Sequence, residues 1–251
     1  MNKYLLHGKL TAGQGNRDEL AFEKNYIHEV ILSIVLIAIV VITIVFGGFL
    51  EATGLSVRRW NWNNLLLILP LVPLLFLQQK ASLPAVETIN KKKNGWLSTF
   101  GVGMVFGLLD VLVVKVIQHP EPYTAMPPFL QPFPYSPFLY SAGALDVELY
   151  YRMIPLTLFM LLNTWVLKGK FKNTFIIVLG IITSLIEPIQ QFPGGALWFL
   201  IYATVSGIAM NAWQFRSYIH YGFLASLAVR LGHYLIWHVL LGLYVQFVEL
   251  Q

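Results

Sequence analysis

Ile31 to Leu50 reads ILSIVLIAIVVITIVFGGFL, twenty consecutive residues with no charge, broken only by small or weakly polar positions near its ends and by Gly47-Gly48. A helix needs about 20 predominantly apolar residues to cross the hydrocarbon core of a bilayer. This run therefore predicts a membrane anchor without polar business of its own. Similar apolar runs recur along the chain, and 57% of its 251 residues are hydrophobic while 12% are charged. Soluble domains carry about twice that charged fraction. The reading is an all-α, polytopic transmembrane helix bundle of seven candidate spans, or six if 64–79 is re-entrant.

Outward from this run, Arg58, Arg59, Trp60 and Trp62 form a basic and aromatic group suited to the membrane–water boundary. Asn64 to Gln79 is a shorter apolar run interrupted by Pro70 and Pro73, which predicts a kinked, tilted or re-entrant segment. Lys91, Lys92 and Lys93 give the strongest inside signal. Trp96 to Gln118 then spans, bearing Asp110 and Lys115, which read as a snorkelling pair. His119 to Pro137 holds seven prolines and no Lys or Arg, so it reads as an outside loop or lid. Gly143 opens the central helix, which runs to about Lys168. Asn173–Gln190, Ala196–Trp213 and Tyr221–Val248 supply the remaining crossings, separated by inside lysines (168, 170, 172), an outside turn at 191–195 and Arg216.

The divisions expected are a polar tail over 1–28, two membrane segments and a basic loop over 29–96, and a core bundle over 97–248. Within the tail, Tyr4–Thr11 alternates loosely like a strand, and Ala12–Asn16 reads as a turn with Asn16 capping a helix from Arg17. The net charge of +5 sits in loops between apolar runs, which is an orientation signal. No basic stripe interleaved with stacking aromatics is present, so no nucleic-acid partner is expected. With no cysteine, thiolate chemistry and cysteine metal sites are excluded. The expected surroundings are membrane lipid and the cell membrane.

Ionisable groups at membrane depth are the candidates for function. Glu148 and Arg152 lie four apart and share one helix face. At 1.5 Å per residue from the inside loops, Glu148 lies about 30 Å along its helix, Asp110 about 25 Å, Glu187 about 22 Å and His233 about 20 Å. His238 falls at about 27 Å on the same scale. The common depth predicts one polar chamber beneath the Pro-rich loop. A carboxylate can take a proton from water, and a neutral imidazole can shuttle that proton or bind a metal. Two carboxylates and a histidine (Glu148, Glu187, His233) could also hold a divalent ion such as zinc with an open water position. His238, five residues on, points about 140° away from His233 and is held in reserve.

The run Val147-Glu148-Leu149-Tyr150-Tyr151-Arg152 resembles the Glu-Glu-x-x-x-Arg signature of the CAAX-protease and bacteriocin-processing family of intramembrane endopeptidases, and the small-residue approach to His233 resembles that family's last motif. The likeness covers roughly residues 97–248. It departs at Val147, where the first Glu belongs; at Glu187, where the second motif has histidine; and at Trp237, in place of the final Asn or Asp. The resemblance implies hydrolysis of a peptide or lipid-linked peptide in a membrane cavity. Glu148 would activate water, Arg152 would fix its charge, and Glu187 and His233 would bind a metal or polarise the scissile carbonyl. The alternative is a non-proteolytic membrane protein (an immunity factor, scaffold or ion-coupled transporter) that keeps the polar cluster for structure. Separately, MNKYLLHGKLTAGQGNRDEL resembles the opening strand and helix of antibiotic-biosynthesis-type monooxygenases, and no activity is carried over from so short a match.

Overall fold

The computed structural model describes residues 11–86, 95–191 and 193–251, with side chains from Tyr26 onward. Among these residues the fold is all-α, in seven helices. They are α1 (Thr11–Ala52), α2 (Trp62–Leu77), α3 (Gly95–Gln118), α4 (136–165), α5 (Lys172–Gln190), α6 (Leu197–Tyr221) and α7 (Phe223–Glu249). Four of them are long and apolar enough to cross a membrane: Tyr26–Ala52 within α1, then α3, α5 and α7. Helix α6 is also long, at 25 residues, but it and α4 dilute their apolar character with the groups that build the interior site. The bundle is compatible with an integral membrane protein.

Several boundaries differ from expectation for identifiable reasons. The central helix begins at Ser136 rather than Gly143, because Pro137 falls in its first turn, where its missing N–H is not needed. The turn expected at Ala12–Asn16 is already helical, since α1 runs unbroken from Thr11. The strand expected over Tyr4–Thr11, but for the helical Thr11, and the lysines 91–93 lie outside the described residues. The 64–79 segment is broken at Leu69–Pro70 into Trp62–Ile68 and Leu71–Leu77, with Asn61 capping its start. Seven residues per half cannot cross a bilayer unaided.

Helix α7 is the hub, its membrane-length window 61% buried against 22% for α3 and α5. It packs on α3, α4 and α6. Its contact with α3 is a crossing of bare backbones. A Cβ on Gly103 would lie 1.8 Å from the Val229 carbonyl oxygen, and one on Gly232 would lie 2.1 Å from that of Phe100. Small residues at such crossings let helices approach as close as van der Waals contact allows. Gly107 continues the same α3 face against His233, and Asp110 follows one turn later. The glycines thus deliver Asp110 to the flank of His233.

Four π-helical segments occur among the described residues; Val245–Glu249 ends α7, and the other three lie beside polar residues of the interior. Val111–Gln118 follows Asp110, Leu149–Met153 follows Glu148, and Leu235–Leu240 follows His233 by one residue. Wide turns of this kind concentrate at functional sites. For the second, Pro155 supplies a cause: it has no N–H for the Tyr151 carbonyl and its ring crowds that oxygen.

Candidate functional site

Two polar assemblies occupy the interior, one beneath the other. The lower is a lattice of two acids and two arginines, all at most 4% exposed. Glu148 Oε1 accepts from Arg152 Nη1 at 2.7 Å, Gln214 Nε2 at 2.7 Å and Arg230 Nε at 3.1 Å. Its Oε2 accepts from Ser226 Oγ at 2.6 Å. Arg230 grips Glu187 with both terminal nitrogens, at 2.8 and 2.5 Å. Arg152 Nη2 lies 3.7 Å from Glu187 and donates to Gln214 Oε1 at 2.7 Å and to Asn211 Oδ1. Charges balance two against two, and α4, α5, α6 and α7 each contribute. A buried ion pair offsets its desolvation only when geometry is good and the leftover donors and acceptors are satisfied. Here nearly all are, the exception being Arg152 Nε.

Above the lattice lies a cavity of about 320 Å³. Its wall includes Asp110, Glu187, Tyr202, Asn211, Arg230, His233, Trp237 and His238. Within it, His233 Nε2–H donates to Asp110 Oδ2 at 2.7 Å, and Tyr202 donates its hydroxyl to Asp110 Oδ1 at 2.7 Å. Asp110 is therefore held from α6 and α7 at once. His233 is 7% exposed, and its other nitrogen, Nδ1, is buried without a described partner. A carboxylate on one imidazole nitrogen fixes the tautomer and the orientation of the ring.

The expected chamber therefore exists in part. Glu187 and His233 share its wall, whereas Glu148 does not line it and Arg152 stays in the layer below. Both oxygens of Glu148 are already occupied by donors, which leaves neither directed at the cavity. The ligand set Glu148–Glu187–His233 is not assembled, because the two acids are consumed by arginines and the imidazole by Asp110. Among the described residues no three His, Asp or Glu side chains stand together as a metal cluster. His238 is engaged elsewhere, donating Nδ1–H to the Phe129 carbonyl at 2.8 Å and stacking on Tyr140 at 4.1 Å.

The Asp110–Lys115 pair does not form. Lys115 instead meets Glu249 at 2.8 Å and donates to the carbonyls of His119 and Glu121, fastening the start of the Pro-rich loop to the end of α7. That loop packs over the helices farther on. Phe129 stacks on Trp237 at 4.9 Å, and its carbonyl also receives the Tyr140 hydroxyl at 2.7 Å.

Sequence reading missed Arg230, Asn211, Gln214, Ser226 and Tyr202 as partners. Arg230 could have been found, being a lone cation inside the apolar run of α7. Asn211 and Gln214 stand three apart on one face of α6, a weaker signal of the same kind. No family model, no curated protein and no solved structure matches the chain.

Proposed function

We propose that the chain is a multi-pass protein of a bacterial cell membrane that hydrolyses peptide bonds in the cavity above the charge lattice, with His233 as its general base. The observation that carries this reading is the Asp110–His233 pair on the wall of the interior cavity, with Nδ1 of the imidazole left without a partner. The resemblance of the Glu148–Arg152 run to intramembrane endopeptidases supports the reaction class, and in this reading His233 takes the place of Glu148 as the working base.

In this mechanism His233 Nδ1 takes a proton from water as the water oxygen bonds to the scissile carbonyl carbon. The imidazolium then returns that proton to the departing amine as the C–N bond breaks. Asp110, steadied by Tyr202, compensates the transient imidazolium. Arg230, on the same wall, is held by Glu187 and Glu148 and fixes that side of the cavity. Glu148 acts through others: it anchors Arg152 and Arg230, and is a positioning residue. The substrate class is a peptide or lipid-linked peptide delivered from the bilayer.

The test is incubation of purified protein in vesicles with a membrane-peptide library, analysed by mass spectrometry. New peptide termini with wild type that vanish with His233→Ala are expected; equal product from both discards the assignment.

A second reading, a non-proteolytic scaffold or ion-coupled carrier, is favoured by one observation. The lattice of Glu148, Arg152, Glu187 and Arg230 is neutral and bonded within itself. pH-dependent uptake of a solute without peptide cleavage would select it.

A further inference from the structure

Every acid on α3, α4, α5 and α7 has a partner except one. Asp110 has His233 and Tyr202, Glu148 and Glu187 have arginines, and Glu249 has Lys115. Asp146 is half-buried, and among the described residues no hydrogen bond or ion pair reaches it. It lies about 15 Å along the α4 axis from Ser136, at middle depth if the bilayer surface is near the helix start. A carboxylate at that depth is costly unless something completes it.

The surface around it has the form of a berth. Gly143, Asp146 and Tyr150 follow one stripe of α4, at the edge of the face that buries Leu139, Ala142 and Leu149. A Cβ on Gly143 would meet nothing within 4 Å, and Tyr150 is 41% exposed. The neighbouring tyrosines mark the two sides. Tyr150 donates its hydroxyl to the Leu67 carbonyl of α2 at 3.1 Å, and Tyr151 donates to Gln190 at the end of α5 at 2.5 Å. Between these contacts α4 leaves open space over Gly143, and Asp146 one turn on holds an unpaired carboxylate at the edge of that space.

We infer that this face receives a membrane-spanning peptide helix bearing a Lys or Arg, whose cation pairs with Asp146. Charge complementarity selects the occupant: hydrocarbon chains would leave the carboxylate incomplete, whereas a basic side chain completes it. The glycine floor lets the incoming backbone approach closely, as small residues do at helix interfaces in membranes. The berth stands beside the Tyr151–Gln190 contact, one turn from Glu187 on the cavity wall. It would present a peptide to the cavity proposed above, and in that respect it rests on the hydrolytic reading; the binding step is independent of it.

The experiment measures binding, not cleavage. Purified protein, labelled at Gln251→Cys (the chain has no cysteine of its own), is placed in neutral phosphatidylcholine vesicles with a fluorescent polyleucine spanning peptide carrying either one central Lys or none. Energy transfer from the Lys peptide is expected to saturate at about ten-fold lower peptide density than from the all-Leu peptide. Asp146→Asn abolishes the difference, and Asp146→Lys transfers the preference to a peptide with a central Glu. Gly143→Leu, which fills open space, weakens Lys-peptide binding while the helical circular dichroism is kept. Equal affinity of the two peptides for wild type, or a preference that survives Asp146→Asn, overturns the inference. Selective binding without cleavage of any peptide retains the berth and removes only the hydrolase.

Discussion

Asp110 Oδ2 stands 2.7 Å from His233 Nε2, joining residues 123 positions apart. The glycine crossing of α3 and α7 makes that contact, and the same imidazole lines the interior cavity. The proposed chemistry depends on this pair, so the pair is the first object of mutation.

Tyr202 holds the second Asp110 oxygen from α6, while the imidazole holds the first. Tyr202→Phe should therefore lower turnover about ten-fold, less than the roughly 10² or more expected for removal of a general base at His233→Ala. Substrate concentration dependence should place the Tyr202→Phe loss in kcat and leave KM close to wild type.

Glu148→Gln should act on stability before activity. It strips the counter-charge from Arg152 and Arg230 while leaving both guanidinium groups buried. Breaking a buried pair by removing one partner costs about 3–5 kcal/mol. Unfolding in mixed detergent should show a loss of that size, with the double variant Glu148→Gln/Arg152→Gln losing less than the sum of its single changes.

Gly103→Ala forces a methyl into the Val229 carbonyl and Gly232→Ala one into that of Phe100. Both should cost at least about 1–3 kcal/mol through overpacking, and both should separate Asp110 from His233. Gly101→Ala on the same helix is the control, since its methyl meets nothing within 4 Å. It should be neutral or gain up to about 1 kcal/mol from helix propensity. Thermal unfolding of the three proteins in one detergent distinguishes these outcomes.

Lys115→Met should loosen the Pro-rich loop without unfolding the bundle. The ammonium holds the Glu249 carboxylate and two loop carbonyls, and Glu249 in turn accepts from the Tyr123 amide at 2.8 Å. Hydrogen exchange at 119–123 should accelerate, while amides in α3 below Asp110 keep wild-type protection.

Much of the fold was legible because hydrocarbon needs long apolar helices, and the chain spells these out. The shared depth of Asp110, Glu187 and His233 was also readable, since rise per residue converts position into height. Rotation about each helix axis was not. Glu148 and His233 were expected to share one chamber, yet Arg230 and Gln214 lie around the acid and Asp110 lies against the imidazole. An apolar helix has little contrast between faces, so its sequence barely records which side is inward. Pairing Asp110 with Lys115 fails for the same reason. Only five residues separate them, but the wide turns from Val111 onward send Lys115 to Glu249 and leave Asp110 facing α7. Glycine spacing was the overlooked clue: Gly103, Gly107 and Asp110 share one stripe of α3.

The most direct test of the central claim is a single-turnover cleavage assay in ¹⁸O-labelled water, comparing wild type with Asp110→Asn and His233→Gln variants shown to keep the wild-type unfolding midpoint. The account predicts one heavy oxygen in the new carboxylate with wild type and a loss of at least about 100-fold in rate for His233→Gln, with Asp110→Asn also impaired. Wild-type rates in both variants would contradict it, because the water-activating group would then lie elsewhere.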